Sequence, residues 1–214
     1  GVGRERLARE IHAMSDRSAG LFVPCHCRER AGVPVRALLF GWTREDPPDG
    51  RTVHPGLCEA AEGGTLFLRD VDALSEEVQA CVVELVEDGR FTPIGETIAR
   101  GADVRVIASS TRDDADGVPS GRHLERLAAR TISIPPLRDR PDDVRPLAEG
   151  FVSAAAGMLG RSLRLSDEAV AQLEARSWPG NVAELRDVVE RACGSAVEHE
   201  VTAEDIAGAL SRAA

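Results

Sequence analysis

Lysine is missing from this chain. All 26 basic residues among its 214 are arginine, tyrosine is absent, and asparagine occurs once, as Asn181. A GC-rich coding bias accounts for the pattern without a functional cause, yet the consequence is chemical: any step that requires a lysine ammonium is excluded. Long hydrophobic runs are missing too. None approaches the roughly 20 apolar residues that a membrane-spanning helix needs, and no signal peptide is read at the start, so no membrane role is expected.

Cysteine is sparse and shows no pairing pattern. The five residues at 25, 27, 58, 81 and 193 are an odd number without a disulfide-framework spacing, which points to a reducing cytoplasm. Cys25-His26-Cys27 offers metal-binding residue types, but no second pair has zinc-site spacing, so no metal is expected there. An excess of positive charge is also lacking. The net charge of −10 argues against direct DNA binding by this segment through the phosphate backbone. What remains, 43% hydrophobic and 29% charged, is the balance of an ordinary globular protein with one large domain or two small ones.

The most informative stretch is Gly63-Gly64-Thr65-Leu66-Phe67-Leu68-Arg69-Asp70. Thr65 to Leu68 form a short apolar run after a Gly-Gly break, the pattern of a buried strand. Arg69 and Asp70 follow at its carboxyl end, where open α/β sheets place their ligands. A helix comes next: Ser75 is a good N-cap, Glu76 and Glu77 complement the dipole of the first turn, and Gly89 can end the last. Val78, Val82, Leu85 and Val86 are expected on its buried face. Strand, acidic tip and helix form the layout of a nucleotide-binding site, and equally of an ordinary βα unit with a charged loop.

Gly1-Val2-Gly3 runs into a helix with Leu7, Ile11 and Met14 on one side. A glycine-rich turn opening a helix can cradle phosphate, because the first backbone N–H groups point at an anion. Two glycines also fit a flexible chain end. Leu21-Phe22-Val23, Val104 to Ala108 (ending in Ser109-Ser110-Thr111) and Ile132-Ser133-Ile134 read as further strands, the last stopped by Pro135-Pro136. Arg44 to Thr52, with Glu45-Asp46-Pro47-Pro48-Asp49-Gly50, is expected to be an exposed loop.

Past Pro136 the character changes. Pro141 opens a helix with Asp142 and Asp143 in its first turn, continued by Val144, Leu147, Phe151, Ala155 and Met158. Ser166 caps a second helix carrying Val170 and Leu173. Trp178-Pro179-Gly180-Asn181 turns into a third with Val182, Leu185 and Val189, and Thr202 caps a fourth with Ile206 and Leu210. The expectation is an α/β part over 1–140 followed by a small all-helical part over 141–214.

Five landmarks then converge: Leu39-Phe40-Gly41, Gly63 to Leu68, Asp103 to Ala108, Pro135-Pro136-Leu137-Arg138-Asp139-Arg140 and Trp178-Pro179-Gly180-Asn181-Val182. In order and spacing, over nearly the whole chain, it resembles the AAA+ domain of bacterial enhancer-binding proteins, the activators of sigma-54 RNA polymerase. The resemblance implies a P-loop-type parallel sheet with helices on both faces, followed by a helical lid. It also implies ATP hydrolysis between the subunits of a ring.

Residue by residue the machinery is depleted. The family's phosphate loop ends Gly-Thr-Gly-Lys-Glu, and the match here is Gly1-Val2-Gly3-Arg4-Glu5, with the loop's first half and its feeding strand expected before residue 1. Arg4 keeps a charge, but its guanidinium is a longer, planar group. Where the family has Asp-Glu, for Mg²⁺ and the attacking water, the chain has Arg69-Asp70. The trans-acting arginine pair falls on Ser120 and Arg126, with Arg122 as a substitute if the loop shifts. The lid arginine is Ala183, and the first sensor's Thr-Asn pair becomes Ser110-Thr111. The sigma-contacting Gly-Ala-Phe-Thr-Gly-Ala falls on Glu45 to Gly50, rewritten as acidic residues and prolines at unchanged length.

Three functions stay open on the sequence. One is a non-hydrolysing AAA+ module for regulation or assembly, with Gly1, Gly3, Arg4, Glu5, Asp70, Ser110 and Thr111 as residues for weak ATP or ADP binding and little provision for Mg²⁺. Another is a working sigma-54-activating ATPase with unusual residues. The third is a nucleotide-free interaction scaffold. Expected partners are proteins, through self-association or other regulator domains, without sigma-54 contact through Glu45 to Gly50.

Overall fold

The fold is that of a computed structural model, which describes residues 2–28, 34–46, 50–111, 123–128, 130–197 and 199–212. It divides into two units, Arg4–Ser133 and Gly1–Gly3 with Ile134–Ala214. In the first, the elements run α1 (Arg4–Ala13), β1 (Phe22–His26), α2 (Val35–Phe40), β2 (Trp42–Asp46), β3 (Gly50–His54), α3 (Leu57–Ala60), β4 (Thr65–Arg69), α4 (Glu76–Asp88), β5 (Arg90–Phe91), β6 (Arg100–Gly101), β7 (Arg105–Ser109) and α5 (Leu124–Leu127). In the second they run α6 (Val144–Leu159), β8 (Arg164–Leu165), α7 (Asp167–Glu174), α8 (Asn181–Ser195), β9 (Glu200–Val201) and α9 (Ala203–Ser211).

The apolar run of β4 is central in a parallel sheet of order β1-β4-β7. Thr65, Leu66, Phe67 and Leu68 are all buried, as expected of a strand covered on both faces. The Gly-Gly break before it is a packing requirement, since a Cβ on Gly64 would stand 2.2 Å from the Leu21 carbonyl oxygen. Thr65 tolerates burial because its hydroxyl meets His12 Nδ1 at 2.9 Å. α4 ends at Gly89 in the left-handed region (φ 62°), where glycine carries no Cβ penalty. Val78, Val82 and Leu85 are buried, but Val86 is exposed, and Val83 and Gln79 complete the buried side instead.

Several expectations are corrected here. Met14 lies just past the end of α1 and is 87% exposed, and the helix buries Ala8 and His12. Ile132 to Ile134 forms no strand: Ile132 is exposed and no described strand pairs with the segment, so a short apolar alternation was not enough. Arg44 to Thr52 is not a loop throughout. β2 and β3 form an antiparallel hairpin in register from Trp42↔His54 to Asp46↔Gly50, with Pro47 to Asp49 outside the described residues. Charged residues that cannot fill a central strand are tolerated in a solvated two-stranded ribbon, and Glu45 lies opposite Arg51 as a favourable cross-strand pair. The hairpin base is fixed by Thr43 N–H donating to Ile94 O at 2.8 Å and Ile94 N–H to Gly41 O at 3.1 Å. Glu96 binds the Thr43 hydroxyl at 2.7 Å as well as Arg51 and Arg100.

The second unit packs four helices around Trp178, Leu173, Leu185, Val188, Val189 and Ile206. Trp178 Nε1–H donates to Leu173 O at 2.8 Å, which satisfies the indole inside the core. Ser166 accepts from Ala169 N–H, and Thr202 forms a capping box with Asp205. Asn181 sits at φ 57°, where asparagine is better tolerated than most residues, and its Oδ1 accepts from Leu137 N–H at 2.7 Å. Pro141–Asp143 forms a 3₁₀ turn ahead of α6, and Met158 is exposed. The part expected to be wholly helical also contains a parallel pair of two-residue strands, β8 with β9. No helix among the described residues is long and apolar enough to cross a membrane.

Candidate functional site

Parallel register brings three strand ends to one edge. Arg69 at the end of β4 is in register with His26 of β1 and Ser109 of β7. Beyond them run Cys27-Arg28, Asp70 and Ser110-Thr111. This is the edge where a parallel sheet presents its loops to a ligand.

Asp70 adopts the left-handed conformation (φ 58°, ψ 53°), which costs a non-glycine residue on the order of 1 kcal/mol or more. Several bonds hold it there. Its N–H donates to Ser109 Oγ at 3.3 Å and its carbonyl accepts from Ala73 N–H at 2.9 Å. Its carboxylate, 14% exposed, accepts from Arg28 Nε–H at 3.1 Å through Oδ2, while an Arg4 guanidinium nitrogen stands 3.9 Å from Oδ1. Arg69 is exposed and forms no ion pair among the described residues.

A second carboxylate that the sequence reading missed lies two residues on. Asp72, in the 3₁₀ turn Val71–Ala73, accepts from Thr111 N–H at 3.2 Å and from the Thr111 hydroxyl at 3.2 Å, with a further bond from the Ser110 hydroxyl. Burial pushes its carboxyl up, but these donors and its own N–H together hold it below the usual carboxylate range. The available signal was an acidic residue after the strand and a Ser-Ser-Thr run after its neighbour. Ser110 and Thr111, expected to face nucleotide, therefore secure Asp72.

Other expected residues are distributed as follows. Gly3 has φ 100°, with open space where a Cβ would stand, and α1 starts at the next residue. Gly1 lies outside the described residues. Glu5 is engaged by Arg9 one turn along α1, at 2.8 Å and 3.2 Å. Arg126, on α5, is paired within its own chain: its Nε–H donates to Glu87 Oε1 at 2.9 Å. Ser120 and Arg122 lie outside the described residues. Ala183 is an exposed methyl in the first turn of α8, in the second unit, and offers no donor.

Among the described residues, the site thus sets the guanidiniums of Arg28 and Arg4 at the Asp70 carboxylate, with Arg69 exposed at the end of β4 and Asp72 already partnered by Thr111. Mg²⁺ asks for near-octahedral oxygen donors at about 2.0–2.1 Å, including one or two carboxylates. Asp70 faces cations and Asp72 is filled by loop donors, so this donor set does not fit a divalent cation. A phosphate group does fit, since guanidinium forks match its geometry.

The Cys-His-Cys segment forms no ligand set. Cys25 on β1 and Cys27 just past its end are buried, and His26 between them is exposed. A thiol–thiol hydrogen bond and burial push Cys27 well above the ordinary thiol range, and burial pushes Cys58 up to about 12. These thiols stay protonated and serve as core.

Residues 1–135 match the family of the sigma-54 interaction domain, and residues 138–214 match the AAA+ ATPase lid domain. The chain is similar to the nitrogen fixation protein AnfA of Azotobacter vinelandii, 37% identical over 197 residues that cover 90% of this chain and 37% of the relative. It is also similar to the hydrogenase transcriptional regulatory protein HoxA of Cupriavidus necator, 36% identical over 212 residues, 95% of this chain and 43% of the relative. The chain therefore spans 37–43% of the length of these curated relatives. Among solved structures, NtrX from Brucella abortus in complex with ATP superposes with a TM-score of 0.79 at 31% identity, over 96% of this chain and 46% of that one.

Proposed function

This chain belongs to the sigma-54 interaction domain family and carries its AAA+ lid, and we propose that within that family it is a nucleotide-responsive regulatory or assembly module that does not hydrolyse ATP. The observation that carries the reading is the Asp70 carboxylate held by Arg28 and flanked by Arg4, directly after Arg69. Phosphoryl transfer depends on positioning and on stabilising charge at the phosphates, with a carboxylate to hold metal or to orient the nucleophile. A guanidinium can do neither, and the carboxylate that follows it already accepts from Arg28. The trans-acting contribution is reduced in parallel, because serine at position 120 stands where one of the two arginines is expected, and the loss of one such arginine costs on the order of 10³ or more in rate.

Nucleotide binding is supported by the retained sheet edge and by NtrX, which has been solved with ADP and with ATP. A regulatory setting is supported by HoxA, a hydrogenase transcriptional regulatory protein. In this reading residues 1–140 are the nucleotide-facing part and 141–214 the lid. The hairpin β2–β3 offers no apolar anchor at Glu45 and Gly50, so its tip does not engage sigma-54 in the family's manner. The partners are copies of the chain or other regulator domains, met in the cytoplasm. The test is incubation of the purified protein with ATP and Mg²⁺. No steady-state phosphate release above the protein-free blank is expected, and sustained release would overturn the reading.

A further inference from the structure

We infer that the carboxyl edge of the sheet is a metal-independent site for a diphosphate or triphosphate group, in which Arg4, Arg28 and Arg69 supply the positive charge, so that Mg²⁺ weakens binding. The inference rests on the nucleotide-binding reading above and adds its cationic dependence.

Three features of this edge carry it. The first is charge: among the described residues of this edge, Arg4, Arg28 and Arg69 stand against Asp70 and Asp72, in a chain whose net charge is −10. Arginine is not simply abundant here. Asp70 gathers two of the three, Arg28 at 3.1 Å and Arg4 at 3.9 Å, and Arg69 precedes it in the chain. The second is availability. Arg28 is 71% exposed, Arg4 is loosely held at its longer distance, and Arg69 has no ion pair among the described residues. Each can turn a face of its fork to phosphate oxygens without first breaking a buried bond. The third is that the carboxylates are closed to a metal. Oδ1 and Oδ2 of Asp70 both face guanidinium nitrogens, and both oxygens of Asp72 accept from Thr111.

A metal-free nucleotide carries more negative charge than its Mg²⁺ complex. At a site of this sign it is the better ligand, since the cation would stand among guanidiniums with no open carboxylate to receive it. In the usual design carboxylates recruit the metal and the metal holds the phosphates. Here the guanidiniums hold the phosphates themselves, and free Mg²⁺ competes for the ligand.

The experiment is calorimetric titration of the intact protein with ADP, in EDTA and in excess Mg²⁺ at matched ionic strength. Binding in EDTA is expected to exceed that in Mg²⁺, with a severalfold loss when the metal is added. Arg69→Ala should weaken binding in EDTA about tenfold, the scale of one charge-assisted hydrogen bond, and shrink the Mg²⁺ penalty. Arg69→Asp should invert the metal response, and Arg28→Ala, at an exposed position, gives an independent loss if either Arg69 variant misfolds by circular dichroism. Binding that requires Mg²⁺ and vanishes in EDTA would overturn this inference and leave the non-hydrolysing module intact. Sustained ATP turnover would instead overturn that module, and absence of ADP binding in both buffers would remove both.

Discussion

The helical unit and the sheet edge obey different rules. In the helical unit several local signals find local partners: Ser166 and Thr202 close the first turns of α7 and α9, Trp178 finds Leu173 O, and Asn181 takes both the turn and the Leu137 N–H. At the edge of β4, an aspartate sits in the left-handed region, an arginine ends the strand, and two further arginines converge on one carboxylate. Asn181 in the helical unit is left-handed as well, but its side chain closes a turn, whereas at the edge of β4 a left-handed residue coincides with converging like charges, a combination that stability alone does not require. Strain persists where neighbours over-determine it, and here the neighbours are the Ser109 hydroxyl, Ala73 N–H and Arg28.

That contrast can be sharpened by substitutions of decreasing expected effect. Trp178→Ala should be the most destabilising, by about 3–5 kcal/mol in urea unfolding, because it opens a cavity in a satisfied core. In the first unit, Thr65→Val keeps the shape of the buried strand but leaves His12 without its partner, and a loss of about 1–3 kcal/mol is expected. Thr202→Ala removes one cap and should cost about 1 kcal/mol.

Asp72 gives a pH signature. Its carboxyl is held low in the folded state, so its contribution is fully present above the unfolded value of about 3.9. It is lost as pH falls through the folded value. An NMR titration of the Thr111 amide should therefore move only below the ordinary aspartate range, and a midpoint above about 4 would break the assignment. The smallest effect belongs to Arg126→Ala. Its exposed pair with Glu87 is worth about 0–1 kcal/mol, and a larger loss would show a role in the fold beyond that pair.

Much of the architecture could be read in advance where periodicity and capping agree. The buried run Thr65–Leu68, the helix ending at Gly89, the caps at Ser166 and Thr202, and the Trp178–Asn181 turn are local signals that tertiary packing merely completes. The failures share a physical cause. The hairpin around Glu45 and Arg51 was hidden because its pairing is edge-type and solvated, so no hydrophobic alternation announces it. Met14 and Val86 looked like core on period alone, but a helix's last turn can leave the packed layer. At the site, residue identity showed that Arg69 and Asp70 depart from the expected pair. It could not show that Arg28 holds Asp70 across 42 residues, or that Asp72 closes on Thr111 across 39. Those pairings come from parallel register, which the sequence implies only after the sheet order is known.

The central claim is that the arginines and the engaged carboxylate at the end of β4 leave no apparatus for hydrolysis. The most direct measurement compares steady-state phosphate release from Mg²⁺·ATP by the intact protein and by Asp70→Ala. Equal, background-level release from both is predicted, since Asp70 is held as a structural anion between Arg4 and Arg28. Turnover by the unaltered protein that disappears in Asp70→Ala would contradict the account and make Asp70 a working catalytic carboxylate.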